Sequence, residues 1–350
     1  MPGLSIIGTG RYLPGRPYSN HDLSRVLDTN DEWIRQRTGI HQRHFCPPGR
    51  GAADLALPAC QAALEAARLG PADIDYILFN TMTPDHLFPG SGSILGARLG
   101  CGGVPALDLR TQCAAMLFAF QVAESLLATG SARRILIVGA EAHASLMPWR
   151  DWDILDGTRD ARPSAEDWAR ATQHRGWAII FGDGAGAVVV ERAERPEVGI
   201  LAVDLHSEGR YAELLCVPGG FRRPLEPNAP NEIGIPTIHM DGRDVFKHAV
   251  TKLPRSIQAV CERGHVTLDQ VDWFIAHQAN QRINEAVCER LGVSVDKMPS
   301  NIDRYGNTSA ATIPILLDEM RRDGRLRDGQ LVCLAALGAG FHWGSVLIRT

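Results

Sequence analysis

Asp108-Leu-Arg-Thr-Gln-Cys113-Ala-Ala-Met-Leu-Phe-Ala-Phe-Gln-Val-Ala-Glu-Ser-Leu-Leu127 is a short apolar approach that reaches a cysteine and then continues as an almost wholly apolar helical stretch. A helix that is apolar on nearly every side sits inside a layered fold, not on its surface. The stretch therefore predicts a central buried helix whose first turn opens into a cavity, with Cys113 at that turn. Backbone N–H groups and the positive end of the helix dipole favour a thiolate there, which predicts a thiol pKa below the free value of about 8.5. A lone cysteine in a long chain is more often a structural core residue, so the rest of the chain has to decide.

The chain has 350 residues, 45% hydrophobic and 22% charged, with a formal net charge of −4. That length buries a large core and allows two domains. The mild acidity argues against general nucleic-acid binding. No uninterrupted apolar run reaches about eighteen residues, and Met1-Pro-Gly-Leu-Ser-Ile-Ile-Gly-Thr-Gly10 reads as a strand and turn with no charged lead or export core. The expectation is a cytoplasmic protein with no membrane partner. The eight cysteines (Cys46, Cys60, Cys101, Cys113, Cys216, Cys261, Cys288, Cys333) are scattered without a C-x-x-C pair or zinc spacing, which predicts reduced thiols and no metal.

Leu4–Gly8 reads as a strand, and Asn20 opens a helix to about Leu27. Asn30 to Gly39 is a capped helical turn stopped by glycine, and in it Trp33 and Arg37 are four apart, so a planar apolar surface and a cation share one face. Such a pair can clamp an adenine nucleotide or simply cover the core. Phe88, between prolines and glycine in a polar loop, reads as an interface aromatic or a buried loop residue. The stretch 148–174, with Trp149, Trp152 and Trp168 among many charges, looks like an insertion with at most a short helix from Ser164 to Ala171. Trp177–Val190 reads as one strand with a glycine-rich kink. Its Gly182-x-Gly-x-Gly186 lies within a strand pattern instead of between strand and helix, which excludes a dinucleotide site.

The second half of the chain resembles the first. Ala72-Asp-Ile-Asp-Tyr-Ile-Leu-Phe-Asn80 is answered by Leu268-Asp-Gln-Val-Asp-Trp-Phe-Ile-Ala-His277, and Ile135–Ala140 by Leu331–Leu337. Asn307, ahead of a helix expected over Ala310–Arg322, falls roughly where Cys113 falls in the first half. Two copies of one strand–helix plan predict a duplicated α/β fold, with halves 1–195 and 196–350. Cys113, His277 and Asn307 then converge on the pseudo-twofold axis. A thiolate to accept an acyl group, with an imidazole and an amide to hold a developing oxyanion, make an acyl-transfer set. Taken singly, His277 reads as a core histidine and Asn307 as a helix cap.

The sequence resembles the β-ketoacyl-acyl-carrier-protein synthase III family of the thiolase superfamily nearly end to end. The likeness is carried by Asp31-Glu-Trp-Ile-x-x-Arg-Thr-Gly39, the Cys113 segment, Phe181-Gly-Asp-Gly-Ala-Gly-Ala187, Met240-Asp-Gly-Arg-Asp-Val-Phe-Lys247, His277-Gln-Ala-Asn280, Tyr305-Gly-Asn-Thr-Ser-Ala310 and Gly338-Ala-Gly-Phe-His-Trp-Gly-Ser345. The resemblance implies a five-layer αβαβα thiolase-like fold, a homodimer, and decarboxylative Claisen condensation of an acyl-CoA with malonyl-acyl carrier protein through acyl-Cys113. Coenzyme A enters as a substrate thioester, and no further cofactor is implied. By the same resemblance the oxyanion is held by the N–H groups of Cys113 and Ala339, and the thioester enolate by His277 and Asn307. Trp33, Arg37, Arg175, Gly176, Gly242, Phe246 and Asn280 match the coenzyme A path, Phe88 the acyl pocket of the partner subunit, and Lys247 and Arg282 the carrier-protein landing site.

The sequence departs from the pattern at Gln112-Cys113-Ala114-Ala115, at Ala339, at Glu289 in place of a carrier-site lysine, and in the 148–174 segment, which lies just before Arg175. These departures bear on the primer and imply an acyl-CoA other than acetyl-CoA. The alternative inside the superfamily is an acyltransferase that passes the acyl group to an alcohol, amine or thiol in secondary metabolism without condensation. A degradative thiolase would carry a second cysteine in Gly338–Gly344, which has none. A scaffold subunit would not need the intact triad, and a cysteine hydrolase would use its histidine as a base.

Overall fold

The computed structural model describes residues 3–218 and 237–350. Two sheets form the frame. In the first, the strands run edge to edge as Leu4–Tyr12, Gly184–Arg192, Arg134–Glu141, Tyr76–Asn80 and Ala106–Leu109. In the second they run Trp273–Ala276, Leu331–Gly338, His342–Arg349 and Gly199–Ser207. The central pairings match: Tyr76–Asn80 lies parallel to Arg134–Glu141 as Trp273–Ala276 lies parallel to Leu331–Gly338, and each longer strand then pairs antiparallel with the next.

The paired aspartates seen in the sequence set this register. Asp75 N–H donates to Arg134 O, and its carboxylate takes the Arg134 N–H, both at 2.9 Å. Asp272 does the same with Leu331, at 2.9 and 2.7 Å. Each acid closes both main-chain bonds at the strand entrance, so the register is pinned where the hydrophobic run begins.

Between the sheets lie two helices, Ala115–Ala128 and Thr312–Arg322, packed in one core cluster with strands of both sheets. Met116, Leu117, Phe120, Leu316 and Leu317 are at most 1% exposed; burying each such side chain contributes about 1.5–3 kcal/mol. The second helix is buried without interruption from Thr312 to Met320. Its Asp318 is accordingly paired, accepting from Thr9 Oγ1 at 3.0 Å and from the guanidinium groups of Arg11 and Arg322 at 2.8 Å each. Helices Ala52–Ala67 and Ser91–Leu99 cover the outer face of the first sheet, and Gly242–Arg263 with Gln281–Leu291 cover the outer face of the second. The layers are therefore α, β, α, β, α, as expected from the sequence.

Two expected elements differ. The helix expected over Asn20–Leu27 ends at Leu23, although Val26 and Leu27 still bury their side chains from the turn that follows. The strand expected from Trp177 begins only at Gly184, because Arg175–Ala178 is a helical turn. Trp177, Ala178 and Ile179 are at most 5% exposed, and a short run buried on all sides carries no period to tell helix from strand. The inserted segment is more ordered than a loop. It holds helices Trp152–Asp156 and Ala165–Gln173, the latter capped by the Ser164 hydroxyl.

Candidate active site

Cys113 is not the first residue of its helix. The strand Ala106–Leu109 stops early, and the cysteine sits in a tight turn, Gln112–Ala114, from which the helix starts at Ala115. The turn is bent by Gln112 at φ +50°, a left-handed conformation costing a non-glycine residue about 1–3 kcal/mol. Thr308–Ala311 repeats it: Thr111 and Thr308 have φ −100° and −93°, and Gln112 and Ser309 have φ +50° and +46°. The residue-for-residue partner of Cys113 is thus Ala310, and Asn307 lies three positions earlier than the sequence comparison placed it.

The shift explains how three residues from distant parts of the chain meet. Asn307 is sewn by its backbone to the Ile180–Gly182 segment, its N–H donating to Ile180 O at 2.9 Å and its carbonyl accepting from Gly182 N–H at 3.0 Å. Its Oδ1 accepts from the Ser309 N–H at 2.8 Å, which fixes the amide and turns its –NH2 into the available donor. Ser309 Oγ lies 3.3 Å from Cys113 Sγ. The Thr312 hydroxyl reaches the Ser309 carbonyl at 3.0 Å and His277 Nδ1 at 2.7 Å. His277 follows the strand Trp273–Ala276, with its N–H held by Ala335 O at 2.8 Å. Cys113 keeps 7% of its surface exposed, and His277 and Asn307 keep 5% each, so the three share a narrow and largely dry setting.

Burial governs the titration of the site. It pushes the Cys113 thiol up to about 12, against the Ser309 hydroxyl, which lowers it, and with Glu141, which raises it. The expectation of a depressed thiol pKa is overturned: removal of the sulfur from water outweighs the favourable turn. Burial also drives His277 down to about 3, so its imidazole is neutral at any physiological pH.

The space beside the Cys113 nitrogen is shaped by a glycine. A Cβ on Gly338 would lie 2.8 Å from the Cys113 nitrogen and 3.0 Å from that of Ala114. Ala339, half-buried, is the next residue, in the turn between the strands Leu331–Gly338 and His342–Arg349. By the matched registers the counterpart of Gly338 in the first sheet is Glu141, each seven residues past the strand's aspartate-bound first residue. Glu141 is fully buried and accepts from the N–H of Ala310, the counterpart of Cys113, at 3.3 Å, and from Thr81, Met82 and Thr83. Burial pushes its carboxyl up to about 7. The same turn is thus filled by a carboxyl in one half and faces a glycine in the other.

Ser309, Thr312 and Glu141 were not singled out in the sequence. Ser309 was visible as the serine of Gly306-Asn-Thr-Ser and Thr312 as its neighbour one helical turn on. An acid ending an otherwise apolar buried strand was the signal for Glu141.

Several of the remaining expected residues touch one another. Trp33 carries the Arg37 guanidinium 4.4 Å and the Arg175 guanidinium 5.1 Å from its ring centre. Arg175 is held by the carbonyl and carboxylate of Asp28 at 2.8 and 2.9 Å, and a side chain on the adjacent Gly176 would meet nothing within 4 Å. Asn280 caps the helix Gln281–Leu291 and donates to Arg37 O at 2.9 Å, tying the two halves together beside Trp33. Gly242 opens the long helix that carries Phe246, whose ring lies 6.0 Å from the Arg282 guanidinium. Lys247 is 58% exposed and paired with Asp244 at 2.6 Å. Phe88 does not reach the site of its own chain; it is 75% exposed, beside Leu87 at 60%.

Five layers, with a buried cysteine, a neutral histidine and an oriented asparagine gathered where the two inner helices begin, define an acyl-transfer enzyme of the thiolase fold. The family model for 3-oxoacyl-(acyl-carrier-protein) synthase III matches residues 107–158 and 160–209, and the model for its C terminal matches 261–350. The β-ketoacyl-(acyl-carrier-protein) synthase III of Alkalilimnicola ehrlichii is 42% identical over 350 residues, covering 100% of both chains. That of Rhizorhabdus wittichii is 39% identical over 344 residues, 98% of each chain. The solved 3-oxoacyl-(acyl-carrier-protein) synthase III of Aquifex aeolicus superposes with a TM-score of 0.85 at 36% identity, covering 99% of this chain and 100% of that one. The chain belongs to the β-ketoacyl-acyl-carrier-protein synthase III family and is an acyltransferase of that family.

Proposed function

We propose that this chain condenses an acyl-CoA primer with malonyl-acyl carrier protein, releasing CO2 and giving a 3-oxoacyl-acyl carrier protein. The observation that carries the reading is the hydrogen-bonded run from Cys113 through Ser309 to Asn307, and from Ser309 through Thr312 to His277. With a thiol pKa of about 12 the sulfur is protonated at rest, so it loses its proton as it attacks the thioester and the departing CoA sulfur leaves with it. The N–H groups of Cys113 and Ala339 receive the tetrahedral oxyanion. Malonyl thioester then loses CO2, and its enolate oxygen is held by the Asn307 amide and by His277. When the Thr312 hydroxyl donates to Nδ1 instead of to the Ser309 carbonyl, the neutral imidazole presents Nε2–H as a donor, so the histidine stabilises charge without releasing a proton. The enolate carbon attacks acyl-Cys113, and collapse breaks the C–S bond and expels the Cys113 thiolate, which takes up a proton from solvent to restore the thiol.

Trp33, Arg37, Arg175, Gly176, Asn280, Gly242 and Phe246 are the coenzyme A path in this reading. Arg175 is anchored by Asp28, so Arg37 is the cation that moves aside when adenine stacks on the indole. Arg282 offers positive charge at the rim to an acidic carrier protein, and Lys247 joins it on exchanging its Asp244 partner for one on the carrier. Phe88, Leu87 and Leu107, exposed by 75, 60 and 40%, fit a homodimer in which Phe88 enters the partner's acyl pocket. Two halves, 1–195 and 196–350, are supported by each sheet drawing its strands from one side of that boundary. The primer is an acyl-CoA other than acetyl-CoA. No described helix is long and apolar enough to cross a membrane, in keeping with work in the cytoplasm.

The test is the intact mass of the protein after exposure to a panel of acyl-CoAs, followed by malonyl-acyl carrier protein. A Cys113 adduct that is discharged as a product two carbons longer, with CO2, supports the reading. Discharge to an acceptor without CO2 would replace condensation by simple acyl transfer, and labelling by acetyl-CoA alone would end the primer assignment.

A further inference from the structure

The inserted segment does nothing in the chemistry above, yet it builds a cavity. The helices Trp152–Asp156 and Ala165–Gln173 and the loop between them face Ser24 and Arg25, enclosing about 1110 Å3. Arg25, Arg159, Asp160, Arg162 and Trp168 supply its polar and aromatic lining. The Arg159 guanidinium is already neutralised by Asp153 at 2.6 Å and Asp151 at 2.7 Å. Arg25 and Arg162 form no ion pair with a described residue, although the carboxylates of Asp151, Asp153 and Asp160 balance the three arginines in number. Arg25 is also placed by packing: its Nη1 lies against Gly157, at φ +75°, where a Cβ would collide with it.

A relay of contacts links the wall of this cavity to the Trp33 stack. Arg175, 5.1 Å from the Trp33 ring, is fixed by Asp28. The Asp28 N–H donates to Thr172 Oγ1 at 3.0 Å. Thr172 stands one helical turn beyond Trp168, on the same face of the helix Ala165–Gln173, and Arg25 is three residues before Asp28. These contacts place an aromatic surface suited to adenine on the same part of the chain as two guanidinium groups that form no ion pair with a described residue. Arginine forks bind phosphate oxygens in pairs, and the nucleotide of coenzyme A carries a 3′-phosphate beside its adenine.

We propose that the inserted segment is a phosphate recognition element, in which Arg25 and Arg162 bind the 3′-phosphate of the CoA nucleotide while Trp33 carries its adenine. It makes the enzyme select CoA thioesters over their dephospho-CoA analogues in the priming step. The proposal rests on the assignment of acyl-CoA as the acyl donor. Both arginines are exposed, so the attraction is screened by salt.

The experiment compares KM for one acyl-CoA and its dephospho analogue in the wild type, in R25Q and R162Q, and in the double variant, at low and high ionic strength. We expect the wild type to favour the 3′-phosphate form by about tenfold, the double variant to treat both alike, and kcat and the KM for malonyl-acyl carrier protein to stay unchanged. Equal KM values in the wild type, or a preference that survives the double substitution, overturn the proposal. Calorimetry with adenosine 3′,5′-bisphosphate against adenosine 5′-monophosphate reads the same site without turnover. A protein that no acyl-CoA acylates would thus lose the donor assignment, while tighter binding of the bisphosphate, lost in the double variant, would still sustain the phosphate site; equal binding of the two probes would overturn it.

Discussion

His277 Nδ1 and Thr312 Oγ1 stand 2.7 Å apart, and the same hydroxyl lies 3.0 Å from the carbonyl of Ser309. One proton serves two acceptors, and its choice sets which ring nitrogen of His277 carries hydrogen. Donation to Nδ1 leaves Nε2–H as the donor that the enolate needs. Replacing Thr312 by valine removes that control with little change of shape. Condensation should slow about tenfold while acylation of Cys113 stays within about twofold, and T312S should restore the rate. Equal slowing of both half-reactions would show that Thr312 serves packing alone.

The Cys113 thiol, raised by burial to about 12, should react as a protonated sulfur. Its alkylation by iodoacetamide, followed at the Cys113 peptide by mass spectrometry, should rise about tenfold per pH unit from pH 7 to 10 without levelling off. Ser309→Ala removes the hydroxyl that favours the thiolate and should slow alkylation further at each pH. A plateau near pH 8 would restore the resting thiolate.

The oriented amide of Asn307 and the neutral imidazole of His277 act after acylation in this scheme. H277A and N307A should each lower malonyl decarboxylation by about 10²- to 10³-fold while the acyl-Cys113 adduct still forms. Loss of the adduct in correctly folded variants would assign these residues to the first half-reaction.

Four buried groups oppose one another in pH: Glu141 and His277, with Asp183 and His143, which flank the Gly182 whose N–H binds the Asn307 carbonyl. Glu141 and Asp183 are raised from 4.5 and 3.8 to about 7, so their contribution to stability is complete below their unfolded values and is lost as pH rises to about 7. His277 and His143 are lowered from 6.5 to about 3 and about 4, so theirs is complete above 6.5 and is lost as pH falls. Between about pH 4.5 and 6.5 the two slopes offset each other. His277→Asn removes one of the rising slopes, and the variant should lose about 1.4 kcal/mol per pH unit with rising pH across that window relative to the wild type. Denaturant titrations at pH 5 and 6 measure it; parallel curves would show that His277 carries its proton in the folded chain.

Leu107 is 40% exposed on the edge strand Ala106–Leu109, which has one free side in the sheet. In a homodimer built there, L107K should shift sedimentation toward the monomer, because a buried unpaired charge is strongly disfavoured. A wild type that already sediments as a monomer would remove this interface.

The sequence displayed what depends on short-range pattern. Trp33 and Arg37 meet because they are four apart on a capped helix, and Asp75 and Asp272 open equivalent strands because the same dipeptide logic recurs around them. It hid what depends on three-dimensional closure. The rise of the Cys113 pKa comes from layers packed over it, which no local pattern records. The true partner of Cys113 was obscured because Asn307 attracts notice chemically, whereas Ala310 has no reactive group to mark it. The Trp177 turn escaped because total burial erases the alternation by which strands and helices are told apart.

The two like turns at the start of the inner helices make the fold a pair of receptors for negative charge, one of which carries its own stopper. Glu141 accepts from the nitrogen of Ala310, and the absence of any side chain at Gly338 leaves room beside the nitrogen of Cys113. Room for an incoming negative charge is thereby confined to one side of an almost symmetrical body by the difference between a carboxyl and a hydrogen atom.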